Sequence, residues 1–108
     1  MNPPPTEFRN DVVNLIEAYL STGKCSAMAI ARDLGVDYST LNRRLARAGH
    51  CYLHLLQVTR KKRFAQLSLT AQPLRAIAPQ LGFAHANSFS RWLIDTFGFT
   101  VRRWRKSK

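Results

Sequence analysis

Residues 29–35 read AIARDLG, and residues 76–82 read AIAPQLG. The chain therefore contains nearly the same seven-residue pattern twice. In each copy, apolar residues at helical spacing are followed by a glycine, which permits a tight turn because it adopts a positive φ without strain. We interpret each copy as the first helix and the turn of a helix-turn-helix unit.

The likeness of the two units continues past each glycine, with one extra residue in the second copy. The corresponding pairs are Leu41 and Phe89, Arg43 and Arg91, and Leu45 and Leu93. The apolar members predict the buried side of a second helix in each unit, and the arginines fall on its outward side.

The composition of the chain indicates a polyanionic partner. Among 108 residues, 17 Lys and Arg oppose 6 Asp and Glu, and the formal net charge of +11 attracts nucleic acid. The sequence has no apolar run long enough for a membrane span, no clean basic amphipathic helix and no signal-peptide pattern at its start. We therefore expect a cytoplasmic protein that binds double-stranded DNA and no membrane.

The outward sides of the two second helices carry side chains that can read base edges in a major groove. An arginine can donate two hydrogen bonds to O6 and N7 of guanine, and an asparagine can bond adenine in a similar bidentate way. We predict base contacts from Ser39, Asn42 and Arg43 in the first unit, and from Asn87, Ser90 and Arg91 in the second.

Other basic side chains are candidates for contacts with the DNA backbone. Such contacts determine affinity and its salt dependence, whereas base contacts determine sequence preference. Simple solvated charge is the alternative for each of them. The candidates are Arg47 in the first unit, Arg60 and Lys62 in the middle of the chain, and Arg102, Arg103 and Arg105 in the tail.

The spacing of apolar residues, caps and glycines predicts an all-α fold of about seven helices. Thr6, Ser26 and Asp37 are expected to cap the first three of them. The predicted segments are an extended leader at residues 1–6 and a DNA-binding domain at 7–108, which contains a helix-turn-helix at about 26–48, a linker helix at about 52–69 and a second helix-turn-helix at about 74–97.

Nothing in the sequence pattern favours catalysis. Paired carboxylates, a nucleophile with an adjacent base and a phosphate-binding glycine loop are all missing, so we expect neither an enzyme nor a cofactor. His50, Cys51 and His54 could supply three metal ligands, with Cys25 as a distant fourth. Such short spacings arise by chance and the second half of a zinc motif is missing, so we expect no metal and two reduced cysteines.

A longer pattern runs through both units. It comprises residues 29–36, Leu41, Arg43, Arg44, Leu45, Gly49 and Arg60, and then Ile77, Ala78, Leu81, Gly82, Phe83, residues 88–91, Phe97, Gly98, Thr100, Trp104 and Arg105. With these residues, the chain from about Val12 to Arg105 resembles the DNA-binding domain of the AraC/XylS family of bacterial transcription regulators.

The resemblance implies two helix-turn-helix subdomains joined by a long helix, which bind two successive major grooves on one side of a duplex. It also implies that the isolated domain binds an asymmetric site as a monomer. The expected role is transcription regulation through contact with RNA polymerase, more often activation than repression.

The second unit departs from the family pattern. Pro79 lies inside its first helix, where proline removes a hydrogen bond and costs about 3 kcal/mol in a regular helix, so we expect that helix to begin later or to kink. Ile94 and Asp95 stand where family members carry basic residues, Val101 replaces a proline, and Trp92 is bulkier than expected. We predict that the first unit contributes most of the sequence discrimination.

Two other interpretations of the sequence stay open. An architectural or non-specific polyanion binder needs the positive charge but not the base-reading residues, and a specificity ratio measured at constant salt separates the two. A partner-binding module that has lost its DNA contacts is the other, although the intact reading positions argue against it. The Asn-Pro-Pro-Pro start resembles a linker, so we expect this chain to be the C-terminal part of a longer regulator.

Overall fold

Six helices make up residues 5–98, the part of the chain that the computed structural model describes. They are α1 (Pro5–Leu20), α2 (Ala27–Asp33), α3 (Tyr38–Arg47), α4 (Tyr52–Leu67), α5 (Leu74–Gln80) and α6 (Ala86–Phe97). Helices α2 and α3 form one helix-turn-helix, α5 and α6 form the other, and α4 joins them. The all-α fold with two such units is confirmed. Within this range, no helix combines the length and the apolarity needed to cross a bilayer.

The first helix-turn-helix packs on α1. One side of α1 buries Val12, Ile16 and Leu20 completely, because residues four apart lie on the same face of a helix. Helix α1 contacts α2, α3 and α4. Besides Val12 and Ile16, the buried members of this mainly aliphatic core are Phe8, Ile30, Ala31, Leu41, Leu45 and Leu55.

The second helix-turn-helix has an aromatic core. The ring of Phe64 in α4 lies 6.2 Å from that of Phe89 and 5.9 Å from that of Trp92, both edge-on, measured between centroids. Such pairs contribute roughly 0.5–1.5 kcal/mol beyond the burial of their area. The other buried members are Leu74, Ile77, Ala78, Leu81 and Leu93. Helix α4 therefore belongs to both cores, with Leu55 in the first and Phe64 in the second.

The repeated sequence pattern folds into the same turn twice. Gly35 and Gly82 have φ angles of +72° and +85°, the left-handed conformation that the sequence predicts. A backbone hydrogen bond closes each turn, from Val36 N–H to the Ala31 carbonyl (3.0 Å) and from Phe83 N–H to the Ala78 carbonyl (3.1 Å). The repeat in the sequence is thus a repeat in the structure.

Two helix ends differ from the predicted ones. Helix α1 begins at Pro5, so Thr6 lies inside it and is not its cap; proline suits a first turn because its missing N–H needs no partner there. Helix α4 ends at Leu67, two residues early, where the Ser68 hydroxyl donates to a carbonyl of the last turn and competes with further helix. Pro73 is the N-cap of α5.

Pro79 is accommodated as the second-last residue of α5. The helix begins at Leu74 and not later. Near the C-terminus of the helix, the Gln80 side chain donates from Nε2 to the carbonyl of Ala76 at 2.9 Å and to Oε1 of Gln72 at 2.7 Å. These side-chain bonds brace a short helix that lacks one backbone donor.

Candidate nucleic-acid interface

Side-chain caps position both helices of the first unit. Ser26 Oγ accepts a hydrogen bond from the Ala29 N–H at 3.1 Å, and Asp37 Oδ1 accepts one from the Thr40 N–H at 2.7 Å. Both predicted caps are confirmed. The bond from the Thr40 backbone lowers the pKa of Asp37, because it stabilises the charged carboxylate.

The outward side of α3 presents most of the predicted reading residues. Ser39, Arg43 and Arg47 are exposed, whereas Asn42 is half-buried. Arg43 donates from Nη2 to Thr40 Oγ1 at 3.3 Å, one turn earlier on the helix. The buried leucine pair on the opposite side holds this face toward solvent.

Arg44 is oriented differently from its neighbours on α3. It is half-buried, and its guanidinium carbon lies 5.4 Å from the centroid of the Phe8 ring. This cation–π geometry ties α3 to α1. Arg43 and Arg47 are therefore the arginines of α3 that face solvent.

The outward side of α6 presents fewer cations. Asn87 and Arg91 are exposed and Ser90 is half-buried, while Phe89 and Leu93 are buried behind them. The two units thus place an arginine at the same position of the repeat, opposite the same pair of buried positions.

The two ends of α6 also differ from those of α3. His85 stands at the N-cap and makes no side-chain capping bond. Near the other end, Ile94 is 47% exposed beside an exposed Asp95. The surface of α6 therefore combines one arginine with an acidic residue and an exposed apolar side chain.

Trp92 has a role that the sequence did not predict. It is only 6% exposed, and its Nε1 donates to Oε1 of Gln57 at 2.7 Å, which ties α6 to α4. The helical spacing of Phe89, Leu93 and Phe97 in the sequence predicts that all three face the core. Phe97 is instead 39% exposed, with its ring 5.6 Å from that of Trp92. The bulky residue that departs from the family pattern is thus a centre of the second core.

The candidates for backbone contact lie in different environments. Arg47 and Lys62 are exposed, and Lys62 lines an open polar cleft of about 200 Å³ beside α1. Arg60 is half-buried: its Nε donates to the carbonyl of Leu81 at 2.9 Å, and its guanidinium carbon lies 4.4 Å from the centroid of the Phe83 ring. Burial lowers the pKa of Arg60. The predicted contacts from Arg102, Arg103 and Arg105 lie outside the described residues.

Arg63 was not among the predicted site residues, and it joins Arg60 at the junction of the two units. Its Nη2 donates to the carbonyl of Glu17 at 3.0 Å, and its Nη1 donates to the carbonyl of Gln80 at 3.5 Å. The signal in the sequence was its helical spacing, which puts it on the mainly apolar stripe of the linker helix formed by Tyr52, Leu55, Leu56, Thr59 and Leu67.

The side chains weighed as metal ligands have other neighbours. Cys25 Sγ lies 3.3 Å from the hydroxyl of Tyr52, and burial raises the pKa of that tyrosine. The rings of His50 and His54 stack with centroids 6.4 Å apart, and Cys51 is exposed. In the described part of the chain, no three His, Cys, Asp or Glu side chains come together as a metal site.

The sequence has relatives among known regulators. Residues 30–107 match the family described as helix-turn-helix domain. The chain is 36% identical over 106 residues to the HTH-type transcriptional regulator VirS of Mycobacterium tuberculosis, in both the CDC 1551 / Oshkosh and the H37Rv strains. The match covers 95% of this chain and 31% of VirS, so the chain spans about a third of the length of that relative.

Two solved structures share the fold. The C-terminal domain of AraT, a response regulator from Geobacillus stearothermophilus, superposes with a TM-score of 0.81 at 22% identity, over 94% of this chain and 85% of that one. A DNA-binding transcriptional dual regulator from Escherichia coli K-12 superposes with a TM-score of 0.78 at 20% identity, over 99% of this chain and all of that one.

Proposed function

The chain belongs to the AraC family of helix-turn-helix DNA-binding domains of transcription regulators, and on that premise we propose that it binds a specific site in double-stranded DNA. In this proposal, α3 and α6 enter two successive major grooves on one side of the duplex. The chain reads the site as a monomer, so the site is asymmetric.

One observation carries the proposal. At the same position of the repeat, α3 and α6 bury an apolar pair and expose an arginine, Arg43 in one unit and Arg91 in the other. An exposed arginine on a recognition helix can bond guanine through two hydrogen bonds. Ser39 and Asn42 on α3, and Asn87 and Ser90 on α6, supply the remaining base contacts that we propose.

The backbone contacts come from cations that surround these helices. Arg47 and Lys62 are exposed and free to approach phosphate. Arg102, Arg103 and Arg105 complete the proposed set. We leave Arg60 out of it, because its guanidinium is engaged with Leu81 and Phe83.

At the level of the cell, we propose a bacterial, cytoplasmic transcription regulator that acts as an activator through RNA polymerase. The relative at 36% identity is a transcriptional regulator, which supports regulation as the role. We propose no catalytic activity.

Selection of random duplexes on the purified protein at physiological salt tests whether the protein recognises a DNA sequence. We expect enrichment of an asymmetric motif with two blocks about one helical turn apart, roughly 10–10.5 base pairs from centre to centre. The affinity for the winning duplex is then compared with that for a scrambled duplex at the same salt. A single enriched block would mean that only one recognition helix reads bases.

Failure to enrich any sequence would overturn the proposal. Equal affinity for the winning and scrambled duplexes, with a steep salt dependence, would identify a non-specific polyanion binder, which the net charge of +11 also suits. Arg43→Ala is the matched variant: it lowers affinity for the selected site and leaves the affinity for scrambled DNA nearly unchanged.

A further inference from the structure

Two arginines of the linker helix bond the end of α1, on which the first unit packs, and the end of α5, which belongs to the second unit. Arg60 and Arg63 stand three residues apart on α4, so their side chains project from the same side of it. Arg60 bonds the carbonyl of Leu81, just past the end of α5, at 2.9 Å. Arg63 bonds the carbonyl of Glu17, in the last turn of α1, at 3.0 Å.

These two helix ends receive cations from elsewhere in the chain. The last carbonyls of a helix have no partner within it and carry partial negative charge. Helices α2 and α3 have arginines in their own last turns, whereas α1 and α5, like α4 and α6, have no basic residue there. The arginines of α4 supply the missing positive charge to both ends at once. The forked guanidinium suits this task, since it donates in several fixed directions.

The turn at Gly82 is packed tightly against the same place. A Cβ added at Gly82 would lie 3.1 Å from the carbonyl oxygen of Leu20 and 3.3 Å from its Cδ1, and 3.4 Å from Nη2 of Arg60. The turn at Gly35, by contrast, has open space around the equivalent atom. The turn of the second unit therefore rests on the end of α1, and Arg60 lies beside that contact.

From this geometry we propose that Arg60 and Arg63 are positioning residues, which fix the orientation of the second helix-turn-helix relative to the first. They thereby set the spacing between the two DNA blocks that the chain accepts. The DNA consequence rests on the proposed function, whereas the orientation itself does not. Neither residue needs to touch DNA for this effect.

Residual dipolar couplings of the full 108-residue chain test the orientation without DNA. In the wild type, α1–α3 and α5–α6 share one alignment tensor. In the double variant Arg60→Met, Arg63→Met, we expect the two sets of helices to require separate tensors while circular dichroism stays helical. Lys61→Met is the matched control, since it removes one charge from an exposed neighbour and leaves the common tensor intact.

A common tensor in the double variant would overturn the proposal. Should the double variant lose its helical spectrum, the single variant Arg63→Lys decides in its place. Lysine keeps the charge but cannot reach the Glu17 and Gln80 carbonyls together, so separate tensors are expected there too.

Binding to duplexes with altered spacers tests the consequence for DNA. Each added base pair rotates the second block by about 34–36°, because a turn of B-DNA holds roughly 10–10.5 base pairs. We expect the wild type to bind most tightly at one spacing. In the double variant, the ratio of the affinity at that spacing to the affinity at other spacings should fall about tenfold or more, because hydrogen bonds from charged donors stabilise a structure by roughly this factor.

The two proposals fail in different ways. A uniform loss of affinity at every spacing, with a shallower salt slope, would mean that the arginines contact phosphate and do not position the units. If the wild type binds no preferred site, the proposed function fails, while the dipolar couplings still decide the role of Arg60 and Arg63.

Discussion

The two helix-turn-helix units contain the same type of backbone turn, but different caps and core side chains stabilise the helices on either side of it. The first has side-chain caps at Ser26 and Asp37 and sits on an aliphatic core built around α1. The second has no side-chain cap on either helix, carries Pro79 within α5, and buries an aromatic cluster shared with α4.

This difference shows how little the turn itself requires. A small residue where the helices meet, a glycine at positive φ and an apolar pair on the second helix are common to both units. The first unit is stabilised within its own segment and by α1. The second depends on α4, through aromatic contacts and the bond from Trp92 to Gln57.

The largest loss in the free energy of unfolding is expected at Trp92, in the second core. Trp92→Ala removes a buried ring and its bond to Gln57, and large-to-small changes of this kind cost about 3–5 kcal/mol. Urea unfolding measures the loss in free energy. Amide spectra recorded in parallel should show the changes concentrated in α5 and α6.

Leu45→Ala is the matched change in the first core, with an expected loss of about 2–5 kcal/mol. Its spectral changes should be concentrated in α1, α2 and α3. A loss for Trp92→Ala below about 1 kcal/mol, far under the usual cost of such a change, would contradict the division into two cores. Spectral changes of equal size in both units, for either variant, would contradict it as well.

The two turn glycines should differ in their tolerance of alanine. A left-handed conformation costs an L-residue roughly 1–2 kcal/mol, and this cost applies at both positions. At Gly82 the added methyl also meets Leu20, and such overpacking adds about 1–3 kcal/mol. We therefore expect Gly82→Ala to lower the free energy of unfolding more than Gly35→Ala. Equal losses would show that the contact with Leu20 relaxes at no cost.

The recognition helices should contribute unequally to sequence discrimination. Arg43→Ala is expected to cost about 1–3 kcal/mol on the selected site and little on scrambled DNA. We expect a smaller loss, under about 1 kcal/mol, for Arg91→Ala, because α6 also presents Asp95 and Ile94 beside its single arginine. Affinity measurements at constant salt give both values.

Arg75→Ala is the control, since it removes an exposed arginine that lies outside both predicted reading faces. A larger loss at Arg91 than at Arg43 would reverse the assignment of the dominant unit. Similar losses on selected and scrambled DNA would refute base contact for either arginine.

The sequence predicted whatever depends on local pattern. The repeat indicated both turns, since a glycine directly after an apolar helical segment is typical of a left-handed helix end, and it identified the buried pairs of α3 and α6. Ser26 and Asp37 were recognisable as caps because short polar acceptors precede helical apolar spacing. Helix ends were less predictable, as at Pro5 and Leu67, which differ from the predicted ends by about two residues; at Leu67 the Ser68 hydroxyl bonds a carbonyl of the last turn.

What depends on long-range packing was not predictable from one sequence. Trp92 looked like a misfit on a recognition helix, because its partner Gln57 lies far away in the chain. Arg60 lies in a run of four basic residues, and nothing local tells an internal guanidinium from a solvated one. Arg63 stood out only through its place on an apolar stripe.

The smallest expected effect concerns the N-caps of the two recognition helices. His85 occupies the position in α6 that Asp37 occupies in α3, and it makes no capping bond. We expect His85→Asp to stabilise the protein by about 0.5–1 kcal/mol at neutral pH, because the new carboxylate can accept from a free N–H at the start of α6. Thermal unfolding followed by circular dichroism measures the gain.

The pH dependence of that gain identifies its cause. Capping lowers the pKa of Asp37 below its ordinary value of 3.8, so its contribution is complete above that pH and is lost as the pH falls through the lower folded value. A new Asp at position 85 should behave alike. The reference for it is His85→Asn, which caps without titrating, so the Asp variant should lose stability relative to the Asn variant as the pH falls into the acid range. An Asp variant that keeps its full stability relative to the Asn variant in acid would mean that the carboxylate does not act at the helix end, and the comparison between the two caps would no longer hold.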